Sequence, residues 1–234
     1  MIHNCKALFL HAIPYGDSSL ILHYFTAENG HISLMAKGLR KSKRKKTALL
    51  KPLLQHEIAF SRKHEDKMGS LRDLSLVQES YPQHPDSLNQ LTFIAEVLYR
   101  GLSKQVNNQA LYLFTQELVS QASHAYQANL HLLFLLKYID ELGFSPDWSQ
   151  FQKGQELSIA TGSFTNKSTH SLSAALCLKL HLLIGTEFDA NKTAIFTGSE
   201  RVQVLEFLIR YLEYHAEGFP QLKSIQVFTD WYRY

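Results

Sequence analysis

Residues 15–46 read YGDSSLILHYFTAENGHISLMAKGLRKSKRKK, and this stretch decides the fold. Ser18–Phe25 is a run of Ser, Leu, Ile and aromatics, the composition of a strand. Gly30–Lys37 alternates, with Ile32, Leu34 and Ala36 on one face. Glu28-Asn29-Gly30 is the turn between them, and Pro14-Tyr15-Gly16-Asp17 the turn before them. Working outward, Ala7–Ile13, Leu53–Phe60 and Leu71–Val77 are further strand-length runs, with Met68-Gly69-Ser70 as another turn. Five short strands in about 80 residues predict a small closed barrel. An OB-fold has this strand count and commonly binds oligonucleotides. An SH3-like barrel has it too, and the pattern leaves both open.

The period changes after Tyr81-Pro82-Gln83-His84-Pro85. Asp86 or Ser87 can cap a helix whose apolar positions Leu88, Leu91, Ala95, Leu98 and Leu102 keep helical spacing. A second helix is expected over about 109–122, with Ala110, Phe114 and Leu118 inward. Residues 127–142 are apolar almost all round and predict the central buried helix, stopped by Gly143 and Pro146. Residues 147–171, rich in Ser, Thr, Gln, Gly and Asn, read as an irregular excursion with a short hairpin around Ile159–Phe164. Helices follow at about 172–184 and, capped by Ser199, at about 199–216. The expected architecture is α+β in two domains, a barrel over 1–80 and a helical domain over 81–234.

Charge is unevenly placed. The chain has 234 residues and a formal net charge of +3, with Lys and Arg at 24 and Asp and Glu at 21. Residues 1–80 hold thirteen of the cations against seven acids, a balance of +6, which leaves eleven against fourteen, or −3, for residues 81–234. Seven cations and no acid lie between Lys37 and Lys46: Lys37, Arg40, Lys41, Lys43, Arg44, Lys45 and Lys46. Such a run repels itself and predicts an exposed loop, either simply solvated or contacting phosphates. The hydrophobic fraction of 45% and charged fraction of 19% belong to a globular chain. The longest apolar run, LHLLFLL at 130–136, is too short to span a membrane. The N-terminus lacks the basic leader and unbroken apolar stretch of a signal peptide. Two cysteines, Cys5 and Cys177, fit a reducing compartment, so the expected location is cytoplasmic.

Searches for catalytic signatures fail. There is no P-loop, since the stretch from Gly185 to Thr193 lacks its second glycine, and no G-x-G-x-x-G, H-E-x-x-H or G-x-S-x-G. The 12 histidines are scattered and read as exposed or hydrogen-bonded rather than as metal ligands. Lys63-His64-Glu65-Asp66-Lys67 reads as a charged hairpin tip. No enzyme activity, cofactor or metal is expected.

The quoted stretch resembles the N-terminal signature of the RecO family of bacterial recombination mediators. The resemblance rests on Gly16-Asp17-Ser18-Ser19, Phe25-Thr26, Glu28-Asn29-Gly30 and Ala36-Lys37-Gly38 opening a basic loop. LKYIDELGFSP at 136–146 and LEYHAEGFPQLKSIQVF at 212–228 resemble two later segments of the family, in the right order. Many family members carry a four-cysteine zinc site just after the Leu-Gly-aromatic-x-Pro segment. Here Phe151 and Gly154 stand where its first pair would be, Cys177 is the only cysteine downstream, and His170 is the only histidine near them. A metal-free version is therefore expected, with 147–171 as the remnant of a zinc-finger-like insertion packed by Trp148, Phe151 and Phe164.

The resemblance implies an OB-fold and a protein of DNA repair and homologous recombination. Such a protein binds single- and double-stranded DNA and anneals complementary strands. With RecR it helps load RecA onto strands coated by single-strand binding protein. The implied location is the nucleoid, away from membranes. Lys37, Arg40, Lys41, Lys43, Arg44, Lys45 and Lys46 are the expected phosphate contacts. Tyr24, expected on the face opposite Phe25, is the favoured stacking platform, with Tyr15 as a further candidate. Arg100, Lys104, Lys137, Arg201 and Arg210 are candidates to grip the acidic tail of single-strand binding protein. Two other function classes remain at this point. An RNA-binding OB-fold protein would prefer RNA in competition, and a metal-dependent nuclease would need paired carboxylates that the sequence does not offer.

Overall fold

The strands expected from periodicity are β1 (Ile2–Tyr15), β2 (Ser19–Thr26), β3 (Gly30–Ala36), β4 (Gln55–Ser61) and β5 (Gly69–Leu76). They belong to a computed structural model that describes residues 2–41, 46–64, 67–77, 80–102, 108–185 and 195–232. The strands close into a barrel in the order β1-β2-β3-β5-β4, with β4 paired back to β1. All pairs are antiparallel except β3 with β5, where Leu34 faces Gly69 and Met35 faces Ser70. This is the OB arrangement, so the SH3-like alternative falls away. β1 is longer than its alternation suggests because it serves two neighbours. Residues 2–8 pair with β4 and residues 7–15 with β2, with a register shift between Phe9 and His11.

Inward positions of all five strands build the barrel core. Ala7, Phe9, Leu20, Leu22, Tyr24, Ile32, Leu34, Ala36, Ile58, Phe60 and Leu74 are all buried in it. The alternation of β3 is as expected. That of β2 is the reverse of the expectation. Tyr24 points into the barrel, and Phe25 points out of it, where its ring meets Tyr112 edge-on at 5.5 Å. Both are fully buried, because helices cover the outside of β2.

A phenol inside an apolar barrel needs a partner. Tyr24 Oη lies 3.2 Å from His56 Nδ1, and His56 Nε2 lies 3.1 Å from the Leu49 carbonyl. A carbonyl only accepts, so Nε2 carries the proton and Nδ1 accepts from Tyr24. The fully buried His56 thus spends both ring nitrogens as a neutral imidazole.

Helix α1 (Pro85–Gly101) is capped by His84, two residues before the earlier of the expected caps. His84 Nδ1 accepts from the Asp86 amide at 3.2 Å, and Pro85 takes the first turn, where it has no donor to lose. In α2 (Gln109–His124) Ala110 is exposed, contrary to expectation. The buried face is Leu111, Thr115, Leu118, Val119 and Ala122. α1 packs on β1 and β2, and α2 on β2, so the first compact unit runs Met1–Tyr126. Tyr81 fastens the connecting segment to the barrel. Its hydroxyl donates to the Pro52 carbonyl at 2.7 Å, and Lys51 Nζ sits 5.2 Å from its ring centroid.

The second unit spans Gln127–Tyr234. Its centre is α3 (Leu130–Glu141), with Leu130, Leu132, Phe134, Leu135, Tyr138 and Ile139 buried. A small sheet of β6 (Glu156–Ser158), β7 (Phe164–Thr165) and β8 (Ser171–Leu172) follows, then α4 (Ala174–Ile184) and α5 (Gly198–His215). The expected hairpin is the β6–β7 pair. α5 is capped by Thr197 rather than Ser199, in a reciprocal box with Glu200. A last helix, α6 (Ser224–Tyr232), was not expected from the pattern. No described helix is long and apolar enough to cross a membrane.

Burial lowers the His56 pKa from its ordinary 6.5 to about 4, against the raising effect of the Leu49 carbonyl. The unfolded chain takes this proton below about 6.5, whereas the folded chain resists it until about 4. Stability is therefore full above that window and falls as pH drops through it, by about 3 kcal/mol for this site. His56→Gln, whose amide can accept from Tyr24 and donate to Leu49, is expected to flatten this part of the acid limb in denaturant titrations. Tyr24→Phe, which leaves the imidazole nitrogen without its donor, is expected to cost about 1–2 kcal/mol.

Candidate nucleic-acid interface

The basic run does not behave as one loop. Lys37 is exposed at the end of β3, and Gly38 follows at φ 72°, a left-handed turn with open space around it. Leu39 then drops into the barrel core, only 8% exposed. Arg40 and Lys41 emerge beyond it and are exposed. The Arg40 amide donates to the Ser18 carbonyl at 3.0 Å and Arg40 Nη1 to the Gly16 carbonyl at 3.1 Å. This guanidinium is thereby held at the β1–β2 turn, beside Tyr15, which is 53% exposed. Lys43, Arg44 and Lys45 lie outside the described residues. Lys46 is not open to phosphate. Its Nζ donates to Asp73 Oδ1 at 3.1 Å and to the Leu74 carbonyl at 3.2 Å, so its charge anchors the end of the run to β5.

A second basic surface was missed by the sequence reading. A groove of about 740 Å³ lies between the end of β3 and the β4–β5 hairpin. Lys37, Arg62, Lys63, Lys67 and Arg72 line it, over Met35, Met68 and Leu71, and no carboxylate is among its described lining residues. Two of the cations are fixed in place. Arg62 donates to Asn29 Oδ1 and sits 5.8 Å from the Phe60 ring centroid, and Arg72 Nε donates to Ser61 Oγ at 3.2 Å. The signal for this groove was present in the hairpin RKHEDKMGSLR at 62–72. Glu65 and Asp66 at its tip concealed it, and both lie outside the described residues.

The outer face of β2 and β3 is only partly available. Tyr99 of α1 packs over His11, His23 and His31, at ring-centroid distances of 4.8, 4.7 and 5.8 Å. His23 and His31 are buried and hydrogen-bonded to each other at 3.2 Å, with Ser33 Oγ 3.0 Å from His23. Half-buried Ile21 and Met35, paired across β2 and β3, mark the end of the face that the helices leave open. Tyr24 contributes nothing to this surface. Of the aromatics proposed to stack on bases, Tyr15 is the exposed one.

Comparison with known proteins decides the family. Residues 1–80 match the model for the recombination protein O N-terminal domain, and residues 85–224 the model for its C-terminal domain. The chain belongs to the RecO family of DNA repair proteins. Full-length relatives carry the name DNA repair protein RecO. One from Christiangramia forsetii is 28% identical over 98% of this chain and 99% of its own. One from Flavobacterium psychrophilum is 28% identical over 96% and 97%, and one from Porphyromonas gingivalis 28% identical over 98% and 98%.

In this RecO-family chain the residues at the expected zinc position do not fit a zinc ion. Cys177 is buried, and its Sγ accepts from the Leu157 amide and donates to the Leu172 carbonyl, both at 3.2 Å. Burial pushes its pKa up to about 11, so with both backbone hydrogen bonds made it sits as a neutral thiol. His170 is exposed on the approach to β8. Among the described residues no cluster of His, Cys, Asp and Glu could hold a metal ion. Aromatic packing organises the segment. Trp148 and Phe151 each meet Phe164 at 5.1 Å, and His181 of α4 lies 5.9 and 5.0 Å from the first two.

The cations proposed for an acidic peptide differ in availability. Arg100 pairs with Glu96 at 2.6 Å, and Lys137 with Glu141 at 2.7 Å and Asp140 at 3.3 Å. Arg201 Nη1 donates to the Phe196 carbonyl at 2.8 Å, Arg210 is exposed, and Lys104 lies outside the described residues.

Three outcomes are expected. Lys63→Ala/Lys67→Ala/Arg72→Ala should lower single-strand affinity and reduce the slope of log K against log salt by about 2, at roughly 0.7 per lost contact. Lys46→Met should leave that slope nearly unchanged and lower the melting temperature slightly, since a partly exposed ion pair contributes at most about 1 kcal/mol. Elemental analysis should find no stoichiometric zinc, and chelator should not move the melting temperature. One tightly held equivalent would contradict the reading of Cys177.

Proposed function

We infer that this chain is a non-enzymatic DNA repair and recombination mediator of the cytoplasm, with its DNA-binding surface on the barrel. The observation that carries this is the cluster of exposed cations on one OB barrel, in the groove and at the β1–β2 turn, with no carboxylate in the described lining of the groove. Lys37, Arg40 and Lys41, with the neighbouring Lys43, Arg44 and Lys45, would neutralise phosphates and release counterions. Groove residues Arg62, Lys63, Lys67 and Arg72 would add to this.

The chemistry required is modest. Neutralising phosphates lowers the repulsion between two complementary strands, so annealing needs neither nucleotide hydrolysis nor a metal. Residues 1–80 would form the DNA-binding domain. The helical part would face protein partners, RecR and the acidic tail of single-strand binding protein, in handing coated strands to RecA. Family membership and the expectations set by the sequence support these partners. Residues 147–171 would be the aromatic-packed remnant of a zinc-binding insertion.

The test is a strand-annealing assay run without ATP on strands coated by single-strand binding protein. Annealing should accelerate, and binding should weaken roughly fiftyfold from about 50 to 200 mM salt if about four phosphates are engaged. Arg40→Ala/Lys41→Ala/Lys43→Ala/Arg44→Ala should flatten much of that slope while the fold survives. A wild-type slope in this variant would remove the 37–46 segment from the interface. Preference for RNA, or cleavage of DNA on adding a divalent cation, would replace the reading altogether.

A further inference from the structure

We propose that the barrel carries two separate phosphate tracks, each taking its own single strand, so that one chain holds two strands at once. This deepens the DNA-binding reading above and rests on it.

Two consecutive residues create the division. Gly38, at φ 72°, lets the chain turn sharply after Lys37, and Leu39 is then buried in the barrel core. A continuous exposed loop could aim all its cations at one strand. A run interrupted by a buried leucine cannot. Lys37 goes to the groove, whereas Arg40 is tied to the Gly16 and Ser18 carbonyls at the β1–β2 turn, and neither Arg40 nor Lys41 lines the groove.

Each side has both ingredients of single-strand binding, cations for the backbone and a surface for bases. The groove sets Lys37, Arg62, Lys63, Lys67 and Arg72 over Met35, Met68 and Leu71. Thioethers and a leucine accept any base by contact, without reading its edge. A duplex keeps its bases stacked inside and could not use that floor. The turn offers Arg40, held to the Gly16 carbonyl next to the exposed ring of Tyr15, an aromatic platform of the sequence-tolerant kind, and exposed Lys41 follows Arg40 in the chain. Lys37, at the junction, lowers the repulsion between strands on either side. A chain that presents two strands side by side, bases engaged but unpaired, supplies the encounter from which annealing starts.

The test counts strands per chain. Oligothymidylate of about 20 nucleotides cannot self-pair, and stretched out it is longer than a barrel of this size, so one copy would fill a single continuous track. Native mass spectrometry at saturation is expected to find two copies per wild-type chain. Lys63→Ala/Lys67→Ala/Arg72→Ala and Tyr15→Ala/Lys41→Ala should each hold one copy and anneal at least tenfold more slowly, with unchanged melting temperature. All five side chains are exposed, so neither variant disturbs the core. One copy per wild-type chain, or two copies retained by either variant, overturns the two-track proposal and leaves DNA binding standing. No bound strand at all overturns both.

Discussion

The contact between β3 and β5 is the constraint on which the rest of the barrel depends. Four of the five strand pairs are antiparallel and local enough to be set by turns or by the long β1. The parallel pair closes the barrel through only Leu34 with Gly69 and Met35 with Ser70. A Cβ at position 69 would stand 2.8 Å from Leu34 Cδ2 and 3.2 Å from the Ser61 carbonyl oxygen, so any side chain there would have to displace Leu34 and press on the β4 backbone. Glycine there lets β5 start against β3. The same approach makes the groove, because Met35 and Lys37 at the end of β3 then face the hairpin that precedes β5. Closure of the fold and shaping of the surface are one event.

The interior of the barrel and its exterior divide the aromatic residues in a way that redirects function. Tyr24 is consumed inside by His56 and the Leu49 carbonyl. Phe25 and the His23–His31 pair are consumed outside by Tyr112 and Tyr99. Much of the sheet face on which an OB-fold usually lays a strand is thus roofed by helices. What stays open is the rim, Tyr15 at one turn and the methionine-floored groove near another. Cations gather at both places, which is where an anionic chain would be drawn.

The second unit solves a problem of a different kind. A short three-stranded sheet of seven residues in all has too little area to hold itself together. Ring contacts among Trp148, Phe151, Phe164 and His181, mostly tilted or edge-on, supply the packing that the sheet lacks. Cys177 joins this as a small buried group that closes two backbone hydrogen bonds. Tyr211 and His215 of α5 brace the same region, donating to the Phe144 and Ile159 carbonyls at 2.8 and 2.7 Å.

The sequence by itself determined the strands, most of the helices, the α+β class and the basic front of the chain. Each is written in local period or local composition. The alternation of Ile32, Leu34 and Ala36 and the stop at Gly143 and Pro146 are read without knowing what they pack against. The RecO signature lies in the same local segments. Tertiary structure alone decided which face of β2 is the interior, because Tyr24 and Phe25 are both large and aromatic and either could be buried. It alone committed Lys46 to Asp73, a partner 27 residues away. Gathering Lys37 with Lys63, Lys67 and Arg72 likewise required β3 and β5 to meet. Charge in a sequence is counted along the chain, but a phosphate responds to charge in space, and only the closed barrel converts one into the other.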